Sequence, residues 1–181
     1  SIMPALEAMK SPIGAVYHVP HGTHGKSPQD ISNENNCSLY AALKILSQAT
    51  RETMPDIARR ADLLRDAQLE YFRNYGFDRQ NNVFYQGGYF VEGRFLPALT
   101  FATDCQTWAI NALPPKWIDE TFGHGTSYRV WQNTKAKTGF YDQKQILRGV
   151  GFAEGFDMHS VEWTCGAILS VKLMAEYYES S

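Results

Sequence analysis

Apolar residues recur at helical spacing in several separate runs. From Asn36 to about Ala49, Leu39, Leu43 and Leu46 share one side while Ala41, Ala42 and Ile45 fill the other. The pattern predicts a helix that is apolar nearly all round and buried on both faces. The next run differs. Pro55 suits a first turn, and Ile57, Ala61, Leu64 and Tyr71 form one stripe against Arg59, Arg60, Asp62, Arg65, Asp66, Glu70 and Arg73. This predicts a water-facing helix that stops at Gly76. A second all-round apolar run, Cys105 to Leu113, ends at Pro114-Pro115, and Trp117 to Phe122 reads as a short return helix. The longest run, Val161 to Tyr178, carries small residues Cys165, Gly166, Ala167 and Ser170 that permit close packing.

Between these runs the pattern loses its helical period. Residues 1–33 hold Pro4, Pro12, Pro20 and Pro28 with one short apolar stretch, Ile13 to Tyr17, and read as an extended, loop-rich arm. Phe77 to Leu99 reads as short strands with turns at Asn81-Asn82 and Gly87-Gly88. Gly123 to Phe156 reads as glycine- and aromatic-rich loop or hairpin with a short helical turn. The domain organisation expected is an arm over 1–33 and an α/α hairpin domain over 34–181.

An acid stands just ahead of a cysteine at three of the helix starts: Glu34-Asn-Asn-Cys37, Asp104-Cys105 and Glu162-Trp-Thr-Cys165. The acids lie 70 and 58 positions apart, which points to a loose repeat of inner helix, outer helix and decorated loop. Helical hairpins stacked in this way give a mainly α fold, an arc or half of an (α/α) toroid with short β-hairpin decorations. A six-hairpin toroid needs about twice this length by the domain-size scale, so another chain or fragment is expected to complete it.

Composition narrows the partners. The 181 residues are 44% apolar and 13% aromatic, and the net charge is −2, so neither nucleic acid nor an anionic membrane is favoured. No apolar run reaches the length of a membrane helix. The start, Ser1-Ile-Met-Pro4, has no initiator Met and no secretory signal, so the chain reads as processed or excised. An extracellular or secretory setting is favoured. The 3 cysteines are too few for a disulfide framework and read as free, buried thiols. Asn36-Cys37-Ser38 matches a glycosylation sequon where a buried helix begins, and is read as chance.

The strings Ser32 to Leu43, Ala102 to Ala109, and Gly149 to Phe152 followed by Ser160 to Ile168 resemble the inner-helix starts of the C-terminal half of (α/α)6-toroid glycoside hydrolases and glycosidase-like proteins. The resemblance implies a carbohydrate pocket walled by acids and aromatics at one end of the toroid. Glycoside hydrolysis needs one protonated carboxyl and one ionised carboxylate. Glu162, between Val161 and Trp163, is the expected acid, Asp104 the expected carboxylate, and Glu34 the third candidate. The structural alternative is that Asp104 is an N-cap and that Glu34 and Glu162 are first-turn acids satisfying free backbone amides. Trp131, Tyr141, Trp163 and Trp108 are candidate stacking platforms, with Trp131 and Tyr141 expected to be the exposed ones.

His18, His21 and His24 cluster without a recognised metal spacing, so no metal and no cofactor are expected, and His21 is placed at the pocket border. Two other functions stand beside hydrolysis. One is a non-catalytic carbohydrate-binding or scaffold module. The other is a papain-like peptidase with Cys37 as nucleophile and His124 or His159 as base.

Overall fold

The computed structural model describes residues 2–20 and 30–180. Among them seven α-helices outweigh eight short strands, so the protein is mainly α. In chain order the first elements are α1 (Met3–Ala8), β1 (Asp30–Ser32), α2 (Asn33–Thr50), α3 (Pro55–Tyr71) and a π-helical turn (Phe72–Gly76). Four strands follow: β2 (Phe77–Asp78), β3 (Val83–Phe84), β4 (Gly87–Val91) and β5 (Arg94–Ala98). The remainder is α4 (Thr103–Ala112), α5 (Pro115–Phe122), α6 (Thr126–Thr138), β6 (Gly139–Tyr141), β7 (Leu147–Gly151), β8 (His159–Ser160) and α7 (Val161–Glu179). These form two compact units. The first runs up to Gly76 and includes Gly87–Ala98, and the second joins Phe77–Gln86 to the chain from Leu99 onward.

In the first unit α2 and α3 form an antiparallel hairpin. Arg51 of α2 reaches Asp62 at 3.2 Å near the connection, and Gln68 Nε2 donates to Asn36 Oδ1 at 3.1 Å near the open end. The stripe expected on α3 is the buried one, since Ala61, Leu64 and Tyr71 are all inside. Met3, Val16 and Leu43 join Ala61 and Leu64 in one core cluster. Truncating Leu43 to Ala at such a site costs about 2–5 kcal/mol. The arm expected over 1–33 therefore contains a helix: Pro4 lies in the first turn of α1, where its missing N–H costs nothing, and Met3 anchors it.

Burial of α2 on both faces is not what forms. Ile45 is 65% exposed, and Ala42 and Ala49 share its exposed side. Strands β1, β4 and β5 make an antiparallel sheet in that order, with Ser32 opposite Gly87. Gly87 and Gly88 belong to β4 rather than to a turn. The turn is Glu92-Gly93, both left-handed, the pair a two-residue β-hairpin requires. Gly87 is needed for a different reason, because a Cβ there would collide with the carbonyl oxygen of Ile31.

The second unit contains the largest departure from the sequence pattern. Residues 126–138, expected as loop or hairpin, form the 13-residue helix α6. Its buried stripe is Thr126, Ser127, Val130, Trp131, Thr134 and Thr138, so the helical period is carried largely by hydroxyl residues. Thr134 and Thr138 each return a hydroxyl hydrogen bond to the carbonyl four residues earlier, at 2.8 and 3.0 Å, which lets them be buried. Strands β6, β7 and β8 form an antiparallel sheet in sequence order. None of the three cysteines is in a disulfide, but Cys165 is exposed while Cys37 and Cys105 are buried.

Candidate functional site

Helices α2, α4 and α7 begin in the same way. Their N-caps, Ser32, Ala102 and Ser160, are extended, with φ/ψ of −105/123°, −118/129° and −107/122°. Each cap is also paired as a strand residue: Ser32 with Gly87, Ala102 with Ala153, and Ser160 with Val150. The second helical residue is Glu34, Asp104 and Glu162 respectively, so the three acids occupy one equivalent position.

The fourth helical residue completes the device, because it lies over the cap on the same face of the helix. Asn36 accepts from Val16 N–H at 2.8 Å and donates to Val16 O and Ser32 O at 3.0 and 2.8 Å. Gln106 accepts from Phe84 N–H at 2.8 Å and donates to Phe84 O and Ala102 O at 2.7 and 3.2 Å. Thr164 accepts from Val150 N–H at 3.0 Å and donates to Ser160 O at 2.6 Å. Each side chain thus clamps one extended residue onto a helix start and satisfies backbone groups that the short strands leave unpaired. Because Asn36 is buried and fully used in this way, its sequon is structural.

The cysteines do not share this equivalence. Cys37 and Cys165 are fifth in their helices and Cys105 is third. The repeat is therefore acid, any residue, then Asn, Gln or Thr. That signal stands in the sequence in all three strings, beside the more conspicuous cysteine.

In the first unit, Glu34 is half-buried at the start of α2. Its neighbour Asn33 is buried, donating to Gly76 O at 3.2 Å and accepting from Tyr71 Oη at 2.7 Å. His18 lies 2.7 Å from Asn35 Nδ2, and His21 is outside the described residues. Cys37 is completely buried, so it has no face open to a peptide substrate.

In the second unit, α4 and α7 start side by side. Thr103 N–H donates to Phe152 O at 3.1 Å, while Ser160 pairs with Val150, so both helices leave from one end of β7. Along their length Asn111 Nδ2 donates to Gly166 O at 3.2 Å, and the Ser170 hydroxyl donates to Asn111 Oδ1 at 2.8 Å. Asp104 and Glu162 are thus first-turn acids of adjacent helices. Asp104 is buried and accepts from Cys105 N–H at 2.7 Å. Glu162 is exposed, and although Trp163 beside it is buried, its other neighbour Val161 faces water, so this sequence neighbourhood does not shield the carboxyl.

Aromatic rings flank these starts. Trp108 and Trp163 meet edge to face with centroids 5.7 Å apart, and Phe152 lies 5.9 Å from Trp163 and 6.0 Å from Phe156. Phe152 and Phe156 are 50% and 58% exposed, giving an open apolar surface. Trp163 is buried, and its Nε1 donor has no partner among the described residues.

Trp131 and Tyr141 come together elsewhere in the same unit, in the wall of a cavity of about 630 Å³ formed by α6, the β6–β7 hairpin and α7. Tyr141 is exposed as expected, whereas Trp131 is buried. Among the described residues no carboxylate lines this cavity.

Sequence reasoning did not single out Asp119. Its buried carboxylate accepts from Gly125 N–H at 2.7 Å, Ser127 N–H at 2.9 Å and Tyr178 Oη at 2.8 Å, tying the start of α6 to the end of α7. It fixes two walls of the cavity from their far ends. No protein-family model, curated protein or solved structure matches this chain.

Proposed function

We propose that this protein is carbohydrate-active and glycoside hydrolase-like, built as an arc of an (α/α) toroid. One observation carries the reading: Asp104 and Glu162 hold the same helical position on two helices that start together, beside exposed aromatic rings. Asp104, accepting a backbone N–H, takes the part of the ionised carboxylate, and Glu162 that of the proton donor. Phe152 and Phe156 supply exposed apolar surface for sugar faces, and Trp163 backs Phe152 from beneath. The third acid, Glu34, starts the equivalent helix of the other unit.

The toroid reading draws support from the repeated helix start and from the antiparallel α2–α3 hairpin. A further chain or fragment completing the fold would cover the apolar residues that α7 leaves in water away from the cavity, Val161 and Leu169. Among the described residues no helix is long and apolar enough to cross a membrane.

The test is reducing-sugar release from a panel of poly- and oligosaccharides. Activity in the unaltered protein that disappears in both Asp104→Asn and Glu162→Gln, with thermal unfolding preserved, is the expected result. Activity surviving either change removes that acid from the chemistry. A second reading, a non-catalytic carbohydrate-binding module, is favoured by the cavity, which gathers Trp131 and Tyr141 without any acid. Saccharide binding with no turnover on the whole panel is the outcome that reading expects.

A further inference from the structure

The acid-free cavity of the second unit has a wall that is chemically one-sided. Its charged groups are Lys135 and Arg148, and its rings are Trp131 and Tyr141. We propose that this cavity binds an acidic saccharide, a pyranose bearing a carboxylate, with the sugar face against the exposed Tyr141 ring and the carboxylate between Lys135 and Arg148. The inference rests on the carbohydrate reading and deepens it by naming the charge of the ligand.

Three observations converge on this class. First, about 630 Å³ lies within the usual range for small-ligand sites, roughly 300–1,000 Å³, and accommodates one or two sugar rings. Second, lysine and arginine only donate hydrogen bonds, so a wall that holds both and no carboxylate suits a ligand rich in acceptors.

Third, the two cations are held in position. Lys135 Nζ stands 6.0 Å from the centroid of the Trp131 ring. Arg148 is oriented by Asp142, whose Oδ2 accepts from Nε at 3.0 Å and Nη2 at 2.5 Å. That pair occupies one edge of the guanidinium and leaves Nη1 outside it. Asp142 is in turn fixed through Oδ1 by Lys144 N–H and Ile146 N–H at 2.8 and 2.9 Å. The loop therefore presents a guanidinium whose direction is set before any ligand arrives. Lys135 forms no ion pair among the described residues, and its ammonium group faces the Trp131 ring instead.

Calorimetric titration of the full chain with an oligoglucuronate, a neutral gluco-oligosaccharide of equal length and benzoate separates the outcomes. The acidic saccharide is expected to bind at least tenfold more tightly than either comparator, and its affinity should fall as salt rises. Lys135→Gln combined with Arg148→Gln should cost at least tenfold and flatten the salt dependence. The same loss of charge at the exposed Lys44 and Lys116 should change neither. Equal binding of the neutral sugar or of benzoate overturns the proposal, as does an unchanged affinity in the Lys135/Arg148 variant. The salt dependence of the unaltered protein needs no variant to fold. Acidic-saccharide binding without any hydrolysis upholds this site and overturns catalysis, whereas hydrolysis without acidic preference does the reverse.

Discussion

The starts of α2 and α7 share cap angles to within two degrees, the same capping serine and an acid at the same position. What they turn toward the protein is opposite. The first helical residue of α2, the polar Asn33, is fully buried, whereas its equivalent in α7, the apolar Val161, is 75% exposed. A local hydrogen-bonded device thus fixes how a helix begins without fixing which side of it meets the core. Burial then decides how much each copy matters, and four changes test that view.

The largest effect is expected from Asn36→Leu. It strips Val16 N–H, Val16 O and Ser32 O of their side-chain partner in a largely buried setting, at about 1–3 kcal/mol for each group left unsatisfied, so a loss of about 4 kcal/mol or outright unfolding should appear in urea titration. The matching change in the solvent-facing copy, Thr164→Val, should cost only about 1 kcal/mol. Equal losses would show that burial does not rank the clamps.

Exchanging the first helical residues sharpens the contrast. Asn33→Val removes the buried hydrogen bonds to Gly76 O and from Tyr71 Oη and should cost about 2–3 kcal/mol, while Val161→Asn should stay within about 0.5 kcal/mol. The caps should behave alike, since Ser32 and Ser160 accept from the third helical N–H at 3.3 and 3.2 Å. Ser32→Ala and Ser160→Ala are each expected to lower stability by about 1 kcal/mol in thermal melts.

The smallest effect concerns pH. Hydrogen bonds from Ile146 N–H, then from Arg148, hold the Asp142 carboxyl below its ordinary value of 3.8. A depressed carboxyl contributes order that is complete above that ordinary value and is lost as pH falls through the lowered one. The amide resonances of residues 142–148 should therefore shift only below about pH 4, a range an NMR titration follows directly.

Much of the helical frame was legible in the sequence because α2, α3, α4 and α7 carry their period in leucine, isoleucine, alanine and tyrosine. Helix α6 was not, because its inward stripe is mostly Thr and Ser, and a hydroxyl reads as polar until its own helix accepts its proton. The acids were visible one by one, but their equivalence lies in the polar residue two positions on, and that residue's role depends on Val16, Phe84 and Val150, up to 22 positions away. The buried state of Trp131 and the exposed state of Glu162 follow from packing among elements that no single stretch encodes.

The unequal fates of the three thiols offer a practical handle. With Cys37 and Cys105 sealed in and Cys165 open on α7, a maleimide dye or nitroxide should attach at one place without any engineering. That attachment point is adjacent in sequence to Thr164 and near Ile168, both in the cavity wall, so the native chain arrives already wired to report what enters there.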